Sequence, residues 1–335
     1  MGKIANQSRK IVLVVFFVSL IGAISVLFIH SVLKKQTGRT DRGAYGQLEA
    51  WKPPAMAWDT LTSNKTIKMI VYGHELIKHT SSYFGPSGTI TKYGNGMNCQ
   101  NCHLESGLKP WGNNYGAVAS TYPKFRARSG RTEDISKRVN DCLERSLNGM
   151  AIDTMAYEMR SIVSYIKWLG QNVRKGVRPT GSGIIDLDYM ERAADPAKGR
   201  AVYIQKCQSC HREDGKGIRD AAAIGYIYPP LWGKNSYNTG AGLFRLSRFA
   251  GFVRDNMPLN QASHRRPVLT VEEAWDVSAF VNSQPRPMGN LDKDWPDIST
   301  KPVDHPFGPY SDSFSEHQHK YGPYKRMVTK KKVKP

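Results

Sequence analysis

The chain is short of acidic residues: 28 Asp and Glu stand against 48 Lys and Arg, a formal net charge of +20 over 335 residues. That balance fits nucleic acid, an anionic membrane surface or anionic substrates, and charge by itself does not choose between them. No collagen-like or coiled-coil bias is present, which excludes fibrous architectures. A content of 40% hydrophobic and 10% aromatic residues excludes wholesale disorder. One long apolar run occurs, Ile11–Ile29, uncharged and preceded by Lys3, Arg9 and Lys10. Its 19 residues are enough for a bilayer-spanning helix and exceed a signal-peptide core, and no small-x-small cleavage site follows. An N-terminal membrane helix is expected, with a cleaved signal as the alternative. Basic residues flank the run on both sides (Lys34, Lys35, Arg39 and Arg42 beyond it), so charge leaves its orientation open.

Cysteine is scarce too, at five residues, and four of the five fall into two copies of one pattern. Cys99-Gln-Asn-Cys102-His103 and Cys207-Gln-Ser-Cys210-His211 both read Cys-x-x-Cys-His, the attachment motif of c-type haem. Two thiols add to the two vinyl groups on one porphyrin edge, and the following His places an imidazole beneath the iron. A zinc site would ask for a second ligand pair close by. Two covalently bound haem c groups are therefore the expected cofactors. Because covalent haem attachment occurs on the far side of the bacterial inner membrane, the bulk of the chain is expected on the periplasmic side, held to the membrane by the N-terminal helix.

Around these motifs the chain reads as a divergent repeat. Residues Thr66–Thr80 and Met155–Val173 have helical apolar spacing. Glu158–Lys167 aligns with Glu273–Asn282, and the second of these helices opens with the capping-box pattern Thr270-Val-Glu-Glu273. The expected architecture is all-α: two class I-like cytochrome c domains in tandem after the membrane helix. The divisions are anchor 1–35, linker 36–65, first domain 66–178, linker 179–195, second domain 196–290, and a Pro-rich basic tail, 291–335, expected to be solvated or to contact anionic lipid or an acidic partner.

Each iron needs a sixth ligand. Met257 lies 46 residues after His211 and is followed by Pro258, the arrangement of class I cytochromes c, while Tyr228–Gly233 matches their proline loop. The first block has no Met-Pro. It has the odd cysteine, Cys142, 39 residues after His103. Its readings are a thiolate ligand to the first iron, an inert buried thiol, or an intermolecular disulfide, with Met150, Met155 and Met159 as rival ligands. A thiolate would lower the potential of that haem relative to the Met-ligated one, so that electrons taken at the first would flow to the second. Arg126, Arg128, Arg131 and Arg145 cluster around Cys142, with Ser146 and Lys109 as further donors, and guanidinium forks suit sulfonate as they suit phosphate. Blandly, they are a solvated face or propionate partners.

Three segments resemble the dihaem thiosulfate dehydrogenases, some of which run as tetrathionate reductases. They are Tyr93–Leu104, Tyr122–Gly130 and Asn140–Gly149. Cys207–His211, Pro229–Gly233 and Asn256–Leu259 match in the second domain, so the likeness covers roughly residues 66–285. It implies His103/Cys142 ligation of the first haem and His211/Met257 ligation of the second. It also implies the joining of two thiosulfates into tetrathionate, with two electrons passing to a periplasmic cytochrome c or other acceptor. Arg128 and Ser146, then Arg145 and Arg126, are the implied substrate residues. Asn256 stands where some relatives carry a Lys beside the Met. The competing expectation is a membrane-anchored dihaem electron carrier without sulfur chemistry, which would need neither Cys142 nor the arginines. Two haem motifs and an exported address argue against nucleic acid as a partner.

Overall fold

A single glycine sets the helix crossing on which the first haem-motif block is built. The computed structural model describes residues 51–55, 64–220 and 224–333. Helix α1 (Lys65–Lys78) begins at Asn64, whose side chain accepts the Thr66 amide and satisfies an orphan donor. Helix α2 (Ile135–Arg145) is capped by Asp134 in the same way. Helix α3 (Tyr157–Leu169) buries Met159, Ile162, Tyr165, Ile166 and Leu169 along one stripe, against Leu76 and Ile77 of α1. Where α1 crosses α3, a Cβ on Gly73 would lie 2.0 Å from the Ser161 carbonyl oxygen and 2.9 Å from Tyr165 Cβ. No larger residue permits that approach.

The second block repeats the device. Helix α4 (Pro196–Lys206) crosses α6 (Val271–Ser283), with α5 (Leu246–Asn256) packed on α6. A Cβ on Gly199 would lie 1.9 Å from the Asp276 carbonyl oxygen and 2.9 Å from Phe280 Cβ. Asp276 and Phe280 hold the places in α6 that Ser161 and Tyr165 hold in α3. The repeat thus extends to the opening helices, where sequence similarity between the blocks is faint. The capping box at Thr270 and Glu273 forms as its pattern requires. Two short antiparallel ribbons interrupt the helical architecture: β1 (Lys124–Arg126) with β2 (Arg131–Glu133), and β3 (Ile218–Arg219) with β4 (Tyr226–Tyr228).

The two blocks pack directly on one another. Leu104 joins the core of Tyr203, Phe252 and Val277, and Tyr226 joins Met97, Leu143 and Leu147. The Gly-rich stretch between them is not a free tether. The Trp111 and Asn113 amides donate to the carbonyls of Gly181 and Gly183, at 2.8 and 2.9 Å.

The structure corrects the expectation of a solvated tail. Val303, Tyr324 and Met327 pack against Leu246, Trp275 and Ala279, and Asp304 is fully buried, accepting from Arg245 and Ser247. Its apolar contacts come from loops and from two short helices, α7 (Glu316–Tyr321) and α8 (Lys325–Val333), at irregular spacing that periodicity does not register. The expected membrane helix lies outside the described residues. Among the described residues, no helix is long and apolar enough to cross a membrane.

Candidate functional site

Two hollows adjoin between the blocks, and Cys102 lines both. The first, of about 840 Å³, is walled by Cys207, Cys210, His211 and Met257 within an otherwise apolar surround that includes Phe249 and Val253. The second, of about 1570 Å³, holds Cys102, His103, Cys142 and Ser146 on its walls. Each proximal ring spends Nδ1 on a backbone carbonyl, His103 on Asn113 at 2.5 Å and His211 on Pro229 at 2.9 Å. Donation from Nδ1–H to those carbonyls leaves Nε2 as the ring atom available to a metal. Burial lowers both imidazoles, His103 to about 4, so each ring is held as the neutral donor that iron requires. The residues present therefore fit a covalently attached haem in each hollow. Met257 follows the end of α5, where its amide closes the helix on Val253, and lines the same hollow as Cys207, Cys210 and His211. Asn256, beside it, donates to the Trp111 carbonyl at 3.0 Å and so ties the methionine segment to the first block.

Helix α2 presents Arg138 and Cys142 one turn apart, and Ser146 follows a turn later at its C-terminal cap; all three line the larger cavity. Leu143, the next residue and about a quarter-turn round the helix, packs with Met97, Leu147 and Tyr226 and holds α2 in the core. None of the rival methionines lines the cavity: Met159 is buried inside α3, while Met150 and Met155 are exposed. Interaction with Cys142 is the largest influence on the Arg138 guanidinium and holds it above its ordinary value, against burial. Arg138 escaped the sequence reading, although its i, i+4 relation to Cys142 on a capped helix is a signal that would have found it.

The structure separates the arginines that the sequence had grouped. Arg126 and Arg128 line the cavity; Arg131 and Arg145 do not, nor does Lys109. Arg128 donates Nε and Nη2 to Asp294, at 2.9 and 2.7 Å, and Arg145 donates both Nη atoms to the same carboxylate at 2.9 Å. Burial would raise the Asp294 carboxyl, but the hydrogen bonds from Arg145 and Arg128 prevail and hold it below the usual range. Trp295, the next residue, lines the cavity and donates its amide to the Arg128 carbonyl at 2.7 Å. From the second block come Tyr237, Arg245 and Arg248, and from the connecting stretch Arg178. Among the described residues, the cavity wall thus carries many cations, together with the sulfurs of Cys102 and Cys142 and hydroxyls that include Ser146, and no carboxylate.

A family model described as "SoxA/TsdA, cytochrome c domain" matches residues 91–174, and one described as "Cytochrome c" matches residues 196–285. The chain is similar to the thiosulfate dehydrogenase of Allochromatium vinosum, 40% identical over 58% of this chain and 72% of that protein. It is 31% identical to that of Stutzerimonas stutzeri, over 75% and 78% of the two chains. The match to the Psychrobacter arcticus enzyme, 38% identical, spans 61% of each. The solved thiosulfate dehydrogenase TsdBA of Marichromatium purpuratum superposes with a TM-score of 0.64 at 30% identity, over 71% of this chain and 50% of that one.

Proposed function

Because this chain belongs to the thiosulfate dehydrogenase family and carries two covalently bound haem c groups, we propose that it oxidises thiosulfate to tetrathionate at the cavity beside Cys142. The balance is two thiosulfate dianions giving one tetrathionate dianion and two electrons; one S–S bond forms, none breaks, and no proton moves. Cys99, Cys102, His103 and Cys142 would hold one haem, and Cys207, Cys210, His211 and Met257 the other; when bound, each would supply a one-electron acceptor, the first at the cavity and the second toward the exit.

The chain's own residues address the main obstacle, which is charge. Two dianions 4 Å apart at a protein surface repel by roughly 15 kcal/mol. Arg138, Arg128 and Ser146 hold the sulfonate oxygens of the first anion, and this fixes its outer sulfur against the Cys142 sulfur. Asp294 keeps Arg128 in one orientation. Arg145, committed to Asp294 and absent from the cavity wall, acts through that carboxylate and not on the substrate. Electrons leave through the adjoining hollow to a periplasmic cytochrome c or similar acceptor, and the same geometry serves tetrathionate reduction in the reverse direction. The bulk of the chain works on the periplasmic side of the inner membrane, tethered by residues 11–29.

The observation that carries this reading is the single face of α2 that brings Arg138, Cys142 and Ser146 to the cavity holding His103. Cys142→Gly, prepared with both haems, should lose the electron paramagnetic resonance signature of a thiolate-ligated low-spin haem. It should also lose thiosulfate-dependent ferricyanide reduction. Full activity in that variant would overturn the reading, and a wild-type protein inert to both thiosulfate and tetrathionate would leave an electron carrier.

A further inference from the structure

The cations around the cavity divide into those that pair with a carboxylate and those that do not. Arg128 is bound by Asp294, Arg245 by the buried Asp304, and Arg248 by Asp186 at 2.7 Å. Arg126 lies 3.8 Å from Glu133. Among the described residues, Lys124, Arg138 and Arg178 line the cavity with no carboxylate in ion-pair range. Arg138 sits with Cys142 in the inner site. Lys124, at the start of β1, and Arg178, in the stretch joining the blocks, are exposed and stand at the mouth.

These open cations are near enough to feel one another. Burial, and then the charges of Arg126, Arg178 and Arg138, push the Lys124 ammonium below its usual value. Glu133 opposes this only weakly. Concentrating positive charge that no carboxylate of the chain answers costs stability unless an anion visits it. Arg178 is seated for that purpose: its Nη2 lies 2.9 Å from where a Cβ on Gly183 would stand, and Gly183, itself on the cavity wall, has φ +75°. Lys124 extends over the Tyr122 ring at 5.4 Å from its centroid, which restrains the long side chain.

Resting on the thiosulfate reading above, we propose that Lys124 and Arg178 form an outer subsite that receives the second oxo-sulfur dianion at the cavity mouth. The inner anion, on Arg138, Arg128 and Ser146, presents its outer sulfur beside Cys142 on the side that faces the outer pair, so that the new S–S bond joins the two outer sulfurs between the subsites. The outer pair holds the sulfonate of the incoming anion with its sulfur toward the first. Tetrathionate, with a sulfonate at each end, spans both subsites, and it carries two charges where the substrates carried four. The product is therefore held less tightly by the same cations than the two substrates were, which favours release.

The test uses the double variant Lys124→Gln, Arg178→Gln as the dihaem holoenzyme, assayed with thiosulfate and ferricyanide. The thiosulfate KM should rise about tenfold or more, the loss of two charge-assisted contacts, while the haem spectra and both midpoint potentials stay at their wild-type values. Lys124→Arg, which keeps the charge, should keep the wild-type KM. An active wild type paired with a double variant of unchanged KM would overturn the subsite alone. A shifted first-haem potential with unchanged KM would also overturn it and assign these cations to the propionates. A wild type without thiosulfate activity would remove the functional reading beneath it.

Discussion

Asp294 accepts two hydrogen bonds from Arg128, at 2.9 Å from Nε and 2.7 Å from Nη2, although 166 residues separate them in the chain. The carboxylate is 6% exposed, and its remaining capacity is taken by Arg145. A segment with no regular pattern in its sequence therefore orients a wall residue of the catalytic cavity. Asp294→Asn removes the charge that two half-buried guanidinium groups share. A loss of about 2–4 kcal/mol is expected, read as a fall of roughly 5–10 °C in the melting temperature of the holoprotein. An unaltered melting curve would mean that the bridge contributes nothing in solution.

Stability should also depend on pH at the acid end. Asp294 and Asp304 are both held below their ordinary 3.8; burial pushes each upward, and hydrogen bonds from Arg145 and Arg128 prevail at Asp294, the charge of Arg245 and hydrogen bonds from Ser247 and Arg245 at Asp304. A depressed folded-state value means that the unfolded chain binds protons first as pH falls. The stabilisation is complete above about 4 and is lost as pH drops through the lower folded-state values. Denaturation midpoints measured from pH 7 to 3 should be flat and then decline. In Asp304→Asn the decline should be shallower, from a lower plateau.

The helix crossings predict two matched variants. Gly73→Ala places a Cβ 2.0 Å from a backbone oxygen of α3, and Gly199→Ala places one 1.9 Å from a backbone oxygen of α6. Backbone cannot yield as a flexible side chain can, so each change should cost about 3 kcal/mol or more. Urea unfolding would register the loss, and equal losses in the two blocks would establish that the crossings are equivalent.

Arg138→Gln removes an open guanidinium one helical turn from Cys142. A reduction in kcat/KM of about a hundredfold is expected if it stabilises developing charge at the cavity, with haem content unchanged. Gln at this position with wild-type kinetics would exclude Arg138 from the substrate site.

Net charge makes a separate prediction. With +20 on the chain and a cationic cavity, thiosulfate should be drawn in by electrostatic attraction. The second-order rate constant kcat/KM should fall by about tenfold between roughly 10 mM and 0.5 M salt, while kcat changes far less. A salt-independent kcat/KM would show that local field, not global charge, governs capture.

The sequence by itself determined the cofactors, because haem attachment is a local covalent requirement that five consecutive residues satisfy. It also picked out Met257, by its spacing and the Pro after it, and Cys142, as the odd cysteine, and it exposed the repeat in the closing helices, whose apolar stripes follow the helical period. Only the tertiary structure decided what each cation near Cys142 can do. Arg128, Arg145 and Arg245 look alike along the chain, and the carboxylates that occupy them, Asp294 and Asp304, come from a segment more than fifty residues away or further. Whether a guanidinium is open to an anion depends on what neutralises it in space. Such long-range pairing leaves no periodic trace in a sequence, which is why Lys124 and Arg178 emerged only when the chain was folded, whereas Arg138 was within reach of the helical spacing to Cys142.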